Sequence, residues 1–186
     1  MQTTGSHDLA RKSAHGFTLI ETMVVIAIAG IVMTTAMPSF GNLIETRRID
    51  GVATQMASDL QFARSEAVSR NQAVRVSFKA DANTGSTCYV IHTGSADQCQ
   101  CTAAGPAQCE GGAQQIKTVA LDSTQRVSLQ ANVGSVLFDP LHGTASPAAT
   151  LRVTGPQNRA VHHTVNIMGR VRSCSPQAAI SGYRAC

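Results

Sequence analysis

The chain has 186 residues, enough for one globular domain plus an anchor, since domains usually run to about 100–150 residues. Its formal charge of +4 is too modest for bulk electrostatics to argue for a nucleic-acid partner, so any such partner must be argued from where the charges sit. Six cysteines speak against a reducing compartment and for one in which pairs persist as disulfides, and the absence of Trp leaves the core to Val, Ile, Leu and Ala.

In chain order, Arg11 and Lys12 come first, then Gly16, then residues 17–37, which are apolar but for one charge. A helix over that segment spans roughly 31 Å, the hydrocarbon thickness of a bilayer. The basic pair puts its N-terminal side in the cytoplasm and everything after Pro38 in the periplasm. The alternative is an ordinary secretory signal cleaved near Ala36. Glu21 argues against that alternative, because a carboxylate in an apolar span costs on the order of 2.5–3.5 kcal/mol to insert and is rarely kept without a partner. Its natural partner is an α-amino group made by cleavage between Gly16 and Phe17. In a helical stack of subunits, the Phe17 amine of one chain then neutralises Glu21 of its neighbour.

The string Gly16-Phe17-Thr18-Leu19-Ile20-Glu21 followed by an apolar helix resembles the class III leader of type IV pilins and type II secretion pseudopilins. The resemblance implies that residues 1–16 are a leader, that a prepilin peptidase cuts after Gly16 and N-methylates Phe17, and that Glu21 directs assembly. It also implies a single pass through the bacterial inner membrane over residues 17–37, a periplasmic domain, and incorporation beside other major and minor pilin subunits. Thr22 stands where a hydrophobic residue is commoner.

Pro38 and Gly41 predict a kinked or loosened helix just after the span. An amphipathic helix then occupies residues 38–71: Ile49, Val52, Ala53, Met56, Leu60, Ala63, Ala67 and Val68 recur at three- and four-residue spacing, with Arg48, Gln55, Asp59, Glu66 and Arg70 on the other face and Asn71 as a stop. From Ala73 the period becomes two, Val74, Val76 and Phe78 alternating with Arg75, Ser77 and Lys79. Further strands are expected at 88–92, 116–121, 126–130, 135–138, 150–154 and 160–168. The expected fold is therefore α+β: a long N-terminal helix, transmembrane then amphipathic, packed on an antiparallel two-sheet β domain over residues 72–186.

The segment from Leu60 to Val74, LQFARSEAVSRNQAV, closely resembles the helix-to-strand junction of the GspH/FimT branch of minor pilins, and residues 138–143 and Gly169-Arg170 add to the match. The resemblance covers most of residues 16–172. Taken alone, Arg64 to Arg70 read as a charged, solvated helix end.

Cys88, Cys99, Cys101 and Cys109 lie in a Gly- and Gln-rich stretch without C-x2-C knuckles, so disulfides are expected and a metal is not. Cys99 and Cys101 are too close to pair with each other, and which of them joins Cys88 and which Cys109 stays open. Cys174 and Cys186 bracket the tail and are expected to close a loop worth about 3 kcal/mol, resembling the C-terminal disulfide loop of many pilins. His162 and His163 are strand neighbours pointing to opposite faces, poor geometry for a metal site. No nucleophile elbow and no phosphate-binding Gly-rich loop is present, so neither an enzyme nor a cofactor is expected.

After Val161 the tail carries Arg170, Arg172 and Arg184 and no Asp or Glu. In Gly169-Arg170-Val171-Arg172 an extended backbone projects both guanidinium groups on one face, suited to adjacent phosphates. The same pair also reads as a solvated strand end or as two structural salt bridges. A G-R-x-R tail on a GspH/FimT-type minor pilin resembles the DNA-binding element of the FimT members, which capture extracellular DNA during natural transformation; Gly169, Arg170 and Arg172 match it position by position. Secretion pseudopilins of the GspH kind carry a Gly-Arg near this point, so Arg172 bears the distinction. Two functions follow: a minor type IV pilin that binds double-stranded DNA without sequence preference through Gly169, Arg170, Arg172 and Arg184, or a structural minor pilin or type II secretion pseudopilin that primes assembly.

Overall fold

The computed structural model describes residues 16–102 and 105–186, and the backbone but not the side chains of 35–39 and of 105. Arg11, Lys12 and the leader up to Gly16 lie outside the described residues. The chain divides between Gly41 and Asn42 into two compact units. One helix, α1 (Leu19–Arg70), runs through both.

Thr18 caps α1, its Oγ1 accepting from the Glu21 amide at 3.3 Å, which places a hydroxyl and an acid at the spacing of a capping box. The helix runs through Pro38 and Gly41 without interruption. A proline removes one i→i−4 hydrogen bond and leaves the rest of a helix of this length in place. Among the described residues no helix is long and apolar enough to cross a membrane; the side chains of 35–39 are not described, and the described apolar ones of the first unit run from Phe17 to Met33 and resume at Phe40. They are also exposed, Phe17 by 81% and Ile26 by 71%. At the far end α1 stops where Asn71 turns left-handed at φ 49°, a conformation asparagine tolerates better than most residues.

In the second unit, Ile49, Ala53, Met56, Leu60, Ala63 and Ala67 form one fully buried stripe of the helix. Two five-stranded sheets pack their inner faces into the same core. The first contains β1 (Val74–Ala80), β2 (Thr87–Thr93), β5 (Gln115–Leu121), β7 (Ser135–Phe138) and β8 (Ala145–Ser146), in the order β5-β2-β1-β7-β8. The second contains β6 (Ser128–Ala131), β9 (Ala149–Thr154), β10 (Ala160–Val165), β11 (Val171–Ser175) and β12 (Arg184–Ala185), in the order β12-β11-β10-β9-β6. All pairings are antiparallel except β11 with β12. A separate hairpin, β3 (Cys99–Thr102) and β4 (Gly105–Cys109), lies against the first sheet.

That hairpin explains two departures from the alternating pattern. Every residue of β2 is buried: Tyr89 and Ile91 face the main core, while Cys88 and Val90 form a second small core with Cys99 and Cys101. Ser77, expected on the solvent face, is buried as well, its Oγ 2.9 Å from His92 Nε2. The cysteines pair Cys88 with Cys101, Cys99 with Cys109 and Cys174 with Cys186.

Asp59, expected on the polar face of the helix, is 5% exposed. It accepts from the Tyr89 hydroxyl at 2.7 Å and pairs with Lys117 Nζ at 2.6 Å, the partners a buried carboxylate requires. Burial, followed by the Asp59 carboxylate, pushes the Tyr89 phenol well up.

Candidate nucleic-acid interface

Residues 140–186 contain no Asp or Glu and five arginines: Arg152, Arg159, Arg170, Arg172 and Arg184. The fold sorts them. Arg159 is committed to the helix, with Nη2 2.9 Å from Glu45 Oε2 and Nη1 donating to Thr46 Oγ1 at 2.8 Å. The other four are exposed and take part in none of the ion pairs among the described residues.

Arg170 and Arg172 follow the turn of the β10–β11 hairpin. Asn166 donates its amide to the Arg170 carbonyl at 3.1 Å, and its Oδ1 accepts from the Arg170 amide at 2.9 Å. The strand expected over 160–168 therefore ends at Val165, because residues 166–169 make this turn. Val171 sits opposite Val165 and packs against the core, so Arg170 and Arg172, one residue either side, look outward.

Gly169 is buried and left-handed at φ +70°, and a Cβ there would meet the Gly143 carbonyl oxygen at 2.3 Å and Arg64 Nε at 3.0 Å. Its contribution is room, which only glycine supplies at such an approach. Arg64 is half-buried and donates Nε to the Gly143 carbonyl at 2.8 Å. It thereby ties α1 to the loop on which the Gly169 turn rests, and is no solvated helix end. Arg70, by contrast, is exposed and pairs with Glu66 one turn back.

Arg184 is held by its neighbours. Ile180 is in the core, and the Tyr183 hydroxyl donates to Asp50 Oδ1 on the helix at 2.9 Å. Cys186 is bonded to Cys174, and Arg184 pairs in parallel register with Cys174. The tail is thus a fixed edge of the second sheet and not a free arm.

The two histidines separate as their strand requires. His163 is fully buried, with Nδ1 2.8 Å from Ser173 Oγ, and burial, opposed by the Ala53 backbone, pushes its imidazole down to about 4. His162 lies on the outer face, across β10–β9 from Arg152; burial first and the Arg152 charge second hold its imidazole below the ordinary range. Arg152 was not among the sequence-derived candidates, although its place between inward Leu151 and Val153, in an acid-free segment, is readable from the sequence. Among the described residues no group of His, Cys, Asp or Glu is assembled that would hold a metal ion.

At the other end of the chain, the Gly16–Phe17 bond precedes the first helical residue. Glu21 is exposed and forms none of the ion pairs among the described residues.

The model of the family described as type II transport protein GspH matches residues 52–169, and that of the prokaryotic N-terminal methylation motif matches residues 11–37. The type IV major fimbrial protein FimA of Dichelobacter nodosus is 32% identical over 148 residues, covering 73% of this chain and 85% of FimA. Among solved structures, the type IV minor pilin FimU of Pseudomonas aeruginosa superposes with a TM-score of 0.50 at 17% identity, over 74% of this chain and 98% of FimU. The minor pseudopilin EpsH of the Vibrio cholerae type 2 secretion system gives 0.44 at 15% identity, over 69% and 98%.

Proposed function

Because the chain belongs to the GspH family, a family of structural pilins and pseudopilins and not of enzymes, we propose that it is a minor type IV pilin that binds double-stranded extracellular DNA, without sequence preference, for uptake in natural transformation. The observation that carries this reading is the pair Arg170 and Arg172. Both are outward, exposed and without a carboxylate partner among the described residues, in a stretch of chain that has no Asp or Glu. Unpaired guanidinium forks of this kind serve phosphate oxygens, and phosphate contacts position a duplex without reading its bases.

The anchor belongs to the same proposal. The prepilin peptidase cuts after Gly16 and methylates the Phe17 amine, and the exposed apolar face that follows enters the inner membrane once and later packs among other major and minor pilin helices. Exposed apolar surface of this extent calls for lipid or protein against it. Glu21, with no ion-pair partner among the described residues, accepts the Phe17 amine of a neighbouring subunit.

The family description, type II transport protein, favours a second reading, a pseudopilin or minor pilin that primes assembly and leaves DNA alone. Host cells separate the two. With Arg170→Gln/Arg172→Gln in place of the wild-type chain, filaments should still be exported while fluorescent duplex DNA retained at the cell surface falls to background. Unchanged DNA retention contradicts the DNA role, and loss of filaments favours the priming role.

A further inference from the structure

We propose that Arg152 on β9 is a fourth phosphate-binding arginine, so that the duplex lies across the outer face of the whole second sheet and not against the β10–β11 turn and tail alone. This rests on the DNA-binding reading above and extends its site.

The register carries the argument. Gln130, Arg152, His162, Cys174 and Arg184 stand opposite one another from β6 to β12, and cross-strand partners point to the same face. The next row holds Thr150, Thr164 and Arg172, and Arg170 closes the hairpin beyond it. Inward positions on these strands are Leu151, Val153, Val161, His163 and Val165, all buried, so the parity is fixed by the core. The outer face therefore presents four guanidinium groups, one imidazole, the Cys174–Cys186 disulfide beside it, and hydroxyl or amide side chains. Its strands contribute no Asp or Glu side chain.

Its dimensions suit a duplex. From Arg184 on β12 to Arg152 on β9 are three strand spacings, roughly 14 Å at ~4.8 Å each. A duplex carries one charge per ~1.7 Å of its axis, so a 14 Å contact meets about eight phosphates. Four arginines spread over that distance reach separate phosphates, whereas Arg170 and Arg172 alone address one short stretch of one strand. His162 stands directly across the β10–β9 pair from Arg152, and burial first and the Arg152 charge second lower its imidazole.

The test uses the full-length chain in non-ionic detergent and a fluorescently labelled 30-base-pair duplex, titrated at several salt concentrations. Removing one arginine that neutralises a phosphate should reduce the slope of log affinity against log salt by about 0.9. Arg152→Gln is expected to lower that slope by about one and to weaken binding at 0.1 M salt by up to about eightfold, the same counterion release expressed as affinity. Lys79→Gln, an exposed cation of the first sheet, should change neither. If the wild-type chain binds and Arg152→Gln matches it in affinity and slope, this proposal fails while the DNA reading stands. If Lys79→Gln costs as much as Arg152→Gln, binding is diffuse charge attraction and the sheet face is not a site. If the wild-type chain does not bind at all, the DNA reading itself fails and takes this one with it.

Discussion

Gly169 and His163 show how single residues constrain the second sheet from beneath. A side chain at position 169 meets two costs, the left-handed backbone, about 1–2 kcal/mol for an L-residue, and a carbonyl oxygen 2.3 Å from its Cβ. Gly169→Ala should therefore lower unfolding stability by at least about 2 kcal/mol in urea titrations, and an unchanged midpoint would mean that the turn relaxes freely. His163 gives a pH dependence whose sign follows from linkage. The folded imidazole is held near 4 against an ordinary 6.5, so below about pH 6.5 the unfolded chain takes up a proton that the folded chain refuses. Stability should fall as pH drops through 6.5 toward 4 and then level off, by about 2 kcal/mol between pH 7 and 5 from this group. The His92 imidazole, also held down by burial, acts in the same direction. In His163→Gln the fall over that interval should be visibly shallower, and an identical curve would assign it elsewhere.

Among the elements, the β3–β4 hairpin does for the first sheet what the helix does for both inner faces. The Cys88–Cys101 bond joins it to β2 across 13 residues of sequence, a loop whose closure is worth about 3 kcal/mol. Replacing both cysteines with Ala should lower stability by about that amount on thermal melting. DNA affinity should be unaffected, because the hairpin covers the sheet that carries no candidate phosphate contact; a matching loss of affinity would place the binding surface on the wrong sheet. The hairpin is also where the sequence is least legible. β3 alternates buried Cys99 and Cys101 with exposed Gln100 and Thr102, but over only four residues and with cysteines in place of larger apolar side chains, and the small core and disulfides that hold it involve Cys88 and Val90 on β2. β8 and β12 have two residues each, too few for any period. By contrast β7, β9 and the stripe from Ile49 to Ala67 are plain in the sequence, because each buries one face against a single core. Asp59 and Ser77 look like surface residues for the same reason in reverse: what covers them, Tyr89 with Lys117 and the hairpin, is far away in sequence. That Arg170 and Arg172 share a face is legible from their spacing, but spacing leaves a solvated strand end or salt bridges equally open, and the resemblance alone points to DNA. Arg152 becomes a partner of theirs only once the order β12-β11-β10-β9 is known.

At the scale of the whole molecule the two units divide the work. The first displays an apolar helix with Thr18 and Glu21 at its start, suited to lipid and to neighbouring helices; the second, Asn42–Cys186, holds its own core and carries every unpaired arginine of the acid-free segment. A filament subunit needs only weak grip on DNA, since several copies along one long duplex raise the effective affinity through avidity. A weak, salt-sensitive, sequence-independent interaction is therefore the signature to look for. The most direct measurement is the equilibrium binding of a labelled duplex to the full-length chain, followed by fluorescence anisotropy at ~50 mM salt, beside Arg170→Gln/Arg172→Gln. The wild-type chain should bind with an affinity that falls steeply with salt, toward a slope of about −3.6 if all four arginines take part, and the double variant should lose most of that binding with its thermal melt unchanged. No binding by the wild-type chain at low salt, or equal binding by the double variant, contradicts the account and leaves a minor pilin or pseudopilin whose task is assembly.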